Sequence, residues 1–440
     1  MVKKVQSLIF AVLIMTMVIP ATAQEDEDGF TFGGAMRYNV ISTSYESDPT
    51  ALSTSATWDT WRLNVDGSMA GVDLSFEYRF YPTFATHFMH HGYLGYGLTD
   101  DLYMKLGVFQ KPFGITSFAS HSWWFQGPYY VGLEDDYDIG VGFDYALGDK
   151  GEVQLAYYRQ AEPQGPASGG VNWAGAGAGR YSYDITAGNQ YTAGGNTYHE
   201  SIRELNTVNI RAAYDVIDGL EVGGSAQVGG IYNDYLMESE IATAFAGHVV
   251  ADFAGFNLKA EYINYDYAAK GVEVAADGSE RTYDLGTVQM GAYGFNYPVA
   301  SKASMYVAGL AYSIPVEFGP ITNIQPYVDF TMIDKPDELY NPVGDDSFKA
   351  VDTYHLVPGF LITAGSIYTY VDFALGKNQP WLTEDFGVGL GHGRLYEYSD
   401  TPDEMEQYYY TDDMDKVGTP VELADMPWNL RFNINVGYYF

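Results

Sequence analysis

The stretch Trp428–Phe440, WNLRFNINVGYYF, constrains this chain more than any other. Taken two residues at a time, Trp428, Leu430, Phe432, Ile434, Val436, Tyr438 and Phe440 share one face, and Asn429, Arg431, Asn433, Asn435, Gly437 and Tyr439 share the other. Side chains alternate across a strand, so the segment is a β-strand with one apolar and one polar face. Thirteen residues is long for a strand in a water-soluble domain. It suits a tilted strand crossing a bilayer, which needs about 9–11 residues plus interfacial ends.

The other end of the sequence agrees. Lys3 and Lys4, the apolar run Leu8–Pro20 and the small residues Ala21-Thr22-Ala23 read as a secretory signal, residues 1–23, whose apolar run is too short to span as a helix. Residues 24–440 then form one domain. Removing Lys3 and Lys4 from 22 basic residues leaves 20 against 57 acidic ones, a formal charge of −37. Such a chain does not suggest nucleic acid or anionic lipid as a partner. A soluble core of this length would divide into domains, yet no linker or solenoid-length repeat is visible. A single closed barrel accounts for that. The 40 Tyr and 24 Phe suit interfacial girdles, and the 49 Gly suit turns and lumen positions. With no Cys, disulfides and thiolate metal sites are excluded.

The expected fold class is all-β: a transmembrane antiparallel β-barrel of about 16 strands, with long outer loops and an inward-folded third loop. Strands are expected at Phe30–Thr43, Thr57–Asp66, Val72–Tyr81, 90–99, 102–111, 138–147, 152–160, 204–215, 220–232, 241–252, 256–267, 303–313, 321–333, 351–362 and 366–376, and then the terminal one. The stretch 285–300 reads either as a further strand or as part of a long loop. The second reading keeps the strand number even, as in bacterial single-chain barrels. Sixteen strands enclose a water-filled lumen.

Alternation points one Arg inward from each of four successive strands: Arg431, Arg37, Arg62 and Arg79. Lys105 joins them two strands on, and inward Asp66, Asp73 and Glu77 partly neutralise them. These groups form either an anion-attracting wall or a set of ion pairs that brace the barrel. The segment 112–137 is opened by Pro112 and Gly114 and is rich in aromatics. It ends in Glu134, Asp135 and Asp136, with Asp138 just beyond. A loop this apolar either folds into the lumen or packs on a neighbouring subunit. In the first case its acids would face the arginines across a narrow passage and set up a transverse field.

The run Gly107-Val108-Phe109-Gln110-Lys111-Pro112-Phe113-Gly114, following Tyr93–Gly97 and a short turn, resembles the segment that closes strand five in the phosphate-selective porin O/P family. The resemblance implies a Gram-negative outer-membrane porin of 16 strands, usually a homotrimer, with the third loop folded inward. Its phosphate selectivity implies basic constriction residues, for which Arg37, Arg62, Arg79, Arg431, Lys105 and Lys111 are the candidates here. The segment 112–137 departs from that pattern in holding no Lys or Arg.

The expected function is therefore an outer-membrane channel for passive diffusion of small hydrophilic solutes and ions. It is expected to be weakly selective, with cations favoured slightly by the acidic loops. The alternatives are an anion- or phosphate-selective porin and a plugged adhesion or structural barrel. No enzyme is expected: His87, His90, His91 and His121 match no metal or nucleophile spacing and read as surface residues. No cofactor is expected beyond a loop-bound Ca²⁺ or Mg²⁺ bridging acidic outer loops, such as 397–425, to lipopolysaccharide.

Overall fold

A computed structural model describes residues 29–44, 54–116, 118–166, 179–186, 190–341, 346–349, 351–379, 382, 394–395, 421–422 and 428–440. Among them, alternation of apolar and polar side chains produces β1 (Gly29–Thr43), β2 (Thr54–Met69), β3 (Val72–Tyr81), β4 (Thr86–Gly97), β5 (Leu102–Gln110), β6 (Tyr137–Ala146), β7 (Gly151–Ala161) and β8 (Ile202–Ile217). The second half holds β9 (Leu220–Asn233), β10 (Glu238–Phe253), β11 (Phe256–Asp266), β12 (Lys302–Tyr312), β13 (Ile321–Asp334), β14 (Thr353–Ala364), β15 (Ile367–Lys377) and β16 (Asn429–Tyr439). Each pairs antiparallel with its neighbour, and β16 closes the ring on β1 with Tyr38 opposite Val436. The short strand Ile314–Phe318 is a seventeenth member that only pairs back onto β13. The barrel is thus closed and sixteen-stranded, as the pattern predicts.

The faces follow from the same alternation. Along β8, Val208, Ile210 and Tyr214 point outward and are exposed, while Thr207, Asn209 and Arg211 point inward and are buried. The outer surface carries Phe32, Trp61, Phe245, Phe253 and Tyr438 among many exposed large apolar groups. In water so much apolar area would be a liability; against lipid tails it is the favourable surface.

Tight turns at 70–71, 98–101, 147–150, 218–219, 254–255 and 365–366 lie at one end, and the long connections 111–136, 162–201, 267–301 and 335–352 lie at the other. The stretch 285–300 stays out of the ring. It forms a hairpin, Thr287–Ala292 with Phe295–Ala300, which pairs with Asp184–Ile185 in a separate sheet of three strands. The signal segment 1–23, most of the Gly/Ala/Ser-rich part of 162–201 and the acidic segment 397–425 fall largely outside the described residues.

The buried apolar cluster lies in the mouth of the barrel. Tyr129 and Tyr130 of the third loop, Tyr181 and Tyr183, and Tyr293 and Tyr297 of the hairpin pack there against Tyr81 and Phe88 of the wall. Edge-on ring contacts, such as Tyr129 with Tyr183 at 5.2 Å between centroids, suit the aromatic quadrupole.

Candidate functional site: the lumen and its third loop

Arg37, Arg62 and Arg79 come together on the inner wall. Arg62 lies opposite Arg79 in the β2–β3 ladder and opposite Ala35 in the β1–β2 ladder. Like charges directly across a ladder repel. Glu77 relieves this, paired to Arg79 and lying 3.6 Å from Arg62 Nη1. Arg37 Nε is 2.8 Å from Asp59 Oδ2. Asp59 faces inward only because β1 and β2 slip register at Arg37/Tyr38, which turns Asp59 and Thr60 to the same side. Strict alternation places Asp59 outside, so sequence reading misses it. Arg431 sits higher in the barrel, its neighbour in β1 being Thr43.

All four of these guanidinium groups lie over rings. Arg431 lies 4.4 Å from the centroid of Trp124, Arg37 6.0 Å from Trp123 and Arg79 4.3 Å from Tyr181. Arg62 is over Tyr439 of β16, at 4.8 Å. Such cation–π contacts hold a charged group against an apolar loop without neutralising it. Nearer the turn end, Lys105 Nζ pairs with Asp144 at 2.6 Å, and Asp73 accepts from the Tyr103 hydroxyl at 2.7 Å. Asp66 accepts from Ser75 Oγ at 2.7 Å.

The third loop crosses the lumen to the opposite wall. Pro112 cannot extend the ladder of β5. Gly114 turns the chain at φ +59, and a Cβ there would collide with the Glu261 carboxylate. Its N–H donates to Ser225 Oγ at 2.9 Å on β9, and its carbonyl accepts from Arg211 Nε at 2.8 Å on β8. The Ile115 N–H donates to Glu261 on β11 at 3.2 Å. Farther along, Asp329 of β13 accepts the N–H groups of His121 and Ser122 at 2.8 Å each, and His121 Nδ1 at 2.7 Å. The Gly127 N–H donates to Thr331 Oγ1 at 3.1 Å. The inward-folded alternative is therefore the one adopted. Arg211 is a further inward cation that sequence reading missed, although it obeys the same alternation as the arginines that were found.

The loop acids are not open to the lumen. Glu134, Asp135, Asp136 and Asp138 are all buried, as is Lys111. Glu134 accepts the Ala119 N–H at 3.2 Å, and burial beside Glu261 pushes its carboxyl well above the usual carboxylate range. Asp135 accepts from the hydroxyls of Tyr181 at 2.5 Å and Tyr137 at 3.0 Å; burial still raises it. Lys111 Nζ lies 2.6 Å from Asp136 and 2.8 Å from Asp138. Burial disfavours its charge, but Asp136, Asp138 and Glu204 outweigh that and hold it protonated. The structure thus separates Lys111 from the arginines and buries the acids in the root of the loop, so they do not face the arginines across an open passage.

Of the four histidines expected at the surface, His87 alone lies on the outer face; His90, His91 and His121 face inward, and His90 and His91 meet with their Nδ1 atoms 2.8 Å apart. His90 and His121 are buried, the first against Tyr137 and Tyr181 and the second between Asp329 and Asn257. A register slip at Glu77/Tyr78 turns both His90 and His91 inward. His87 meets Tyr78 on the outer face.

Among solved structures, the outer membrane channel DcaP of Acinetobacter baumannii is similar to this chain with a TM-score of 0.53 and 10% identity, over 96% of this chain and 100% of that one. The anion-selective porin from Comamonas acidovorans is similar with a TM-score of 0.51 and 10% identity, over 94% and 100%. No family model matches the sequence, and no curated protein matches it. At this identity the likeness is one of fold: the chain has the barrel of an outer-membrane porin, end to end.

Proposed function

We propose that this chain is a Gram-negative outer-membrane porin that lets small hydrophilic solutes and ions diffuse passively, with weak preference for cations. The observation that carries this reading is the closed sixteen-stranded barrel whose inward faces are polar and whose third loop narrows the lumen. Charges on the wall come close to local balance: Arg37, Arg62, Arg79 and Lys105 stand near Asp59, Asp66, Asp73, Glu77 and Asp144, and Arg211 is met by Glu152 and Glu221. A balanced lining selects weakly, which leaves the acidic excess of the whole chain to enrich cations at the mouths.

The finer reading, a phosphate-selective porin, has the arginine wall in its favour. Against it, aromatic rings cover Arg37, Arg79 and Arg431. The homotrimer and the lipopolysaccharide contacts of the acidic outer loops belong to the same proposal, and light scattering of the protein in detergent tests the first. A plugged barrel is the second reading, favoured by the tyrosine cluster in the mouth.

The zero-current potential of the purified protein in a planar bilayer under a KCl gradient tests selectivity. A potential of the sign set by K⁺ supports the proposal. The opposite sign, with conductance blocked by phosphate, transfers control to the arginine wall. Conductance near zero selects the plugged barrel.

A further inference from the structure

The root of the third loop holds more negative charge than its surroundings balance. Lys111 Nζ is 2.6, 2.8 and 3.5 Å from Asp136, Asp138 and Glu204. Beside them, Arg180 Nη1 is 2.8 Å from Asp184 and 4.0 Å from Glu162. Five carboxylates therefore share two cations. Asp184 is 0% exposed, Asp138 1%, Glu162 2%, Asp136 3% and Lys111 4%. An excess of three negative charges cannot stay uncompensated at that depth.

The hydrogen bonds leave a specific gap. Lys111 lies against the Oδ2 atoms of Asp136 and Asp138, and Arg180 against Oδ2 of Asp184. The Oδ1 atoms of all three, with Glu162 Oε2, are buried and receive no hydrogen bond. One oxygen from each of Asp136, Asp138 and Asp184 lies within 4.8 Å of the others. The donors come from two segments. Asp136 ends the third loop and Asp138 opens β6, while Asp184 belongs to the short strand that pairs with the 287–300 hairpin.

We propose that Asp136, Asp138 and Asp184 form a calcium site that pins the end of the third loop to the 179–186 segment. Oxygen-only donors select a hard cation. Ca²⁺, at about 2.3–2.6 Å from each ligand, tolerates an irregular donor set such as these oxygens within 4.8 Å of one another, whereas Mg²⁺ at about 2.0–2.1 Å demands near-ideal octahedral geometry. The ion neutralises two of the three excess charges, and Lys111 keeps its place on the Oδ2 edges. Second carboxylate oxygens and water complete the six to eight positions that Ca²⁺ takes.

The full chain, folded in detergent micelles and stripped with EGTA, is titrated with Tb³⁺ while tyrosine is excited. Tyr181 and Tyr183 flank the site in sequence and serve as antennae. One saturable site is expected, emptied by Ca²⁺ at roughly tenfold lower concentration than by Mg²⁺. Asp184→Asn is expected to weaken Ca²⁺ competition by about tenfold or more, and Asp277→Asn, an exposed turn acid, to leave it unchanged. No saturable Tb³⁺ site, equal competition by Mg²⁺, or an Asp184→Asn protein that binds like wild type would each overturn the proposal. If Asp184→Asn does not fold, the wild type alone decides: its unfolding temperature must rise in Ca²⁺ over EGTA, and no rise would mean that protons hold the excess charge.

Discussion

The third loop meets the barrel on two walls by different chemistry. Against β1, β3 and β16 the contacts are rings on guanidinium groups, including Tyr181 from the neighbouring 179–186 segment. Against β8, β9, β11 and β13 they are directed hydrogen bonds to buried partners, Arg211, Ser225, Glu261, Asp329 and Thr331. A ring tolerates sliding over a cation and contributes about 0.5–2 kcal/mol. A buried carboxylate that receives several N–H groups fixes position, and losing it strands every donor. The first wall therefore supplies charge to the lumen, and the second holds the loop in place.

Asp329→Ala tests that division with the largest expected effect. It strands the His121 and Ser122 N–H groups and His121 Nδ1, and stability should fall by about 3 kcal/mol or more. The temperature at which the compact, heat-modifiable form is lost on gels reads this. An unchanged temperature would break the comparison. Trp124→Ala should cost about 3 kcal/mol, mostly for the buried ring it deletes rather than for the cation–π contact, and raise single-channel conductance, since Arg431 would lose its cover. Equal conductance would mean that Trp124 lies off the solute path.

Arg62→Gln should alter stability by about 1 kcal/mol at most and shift the zero-current potential toward K⁺ selectivity. Its side chain stays 18% exposed, so its charge reaches the lumen. No shift would remove Arg62 from the path.

A control stands beyond both walls. Lys335, in the connection after β13, is pushed down from 10.5 to about 8 by burial, despite Asp352. A folded pKa below the unfolded one means that this contribution to stability is full above pH 10.5 and is lost as pH falls through about 8. Lys335→Met should thus unfold at a higher temperature than wild type at pH 7, and the two should converge above pH 10.5. A constant offset across that range would mean that the pKa of Lys335 is not displaced.

The two walls also differ in how far they can be read from sequence. Arg37, Arg62, Arg79 and Arg431 declare themselves because strand periodicity alone decides which way they point. Asp59 and His90 defeat the same rule, because one extra residue in a ladder reverses a face and leaves no compositional trace. The anchoring wall is hidden for another reason. Asp329 is an ordinary inward polar residue until the path of a loop 208 positions away is known. Glu134–Asp136 read as acids facing the arginines across the lumen, because nothing in three acids in a row announces burial. Only the ring of barrel, Lys111 and tyrosines around them makes burial tolerable.

The ladder between β1 and β16 has a consequence for how the molecule is made. Asn435 Nδ2 donates to Asn39 Oδ1 across 396 residues of sequence, and Gly34 and Phe440 exchange backbone hydrogen bonds. Every other ladder joins strands nearer in the chain, so the seam carries the greatest loop-closure entropy and contributes most to a high contact order. A nascent chain waiting for its final strand exposes the edges of β1 and β15, which are templates for pairing with other chains. Assembly speed, and the need for help in suppressing aggregation, should therefore be set at this seam.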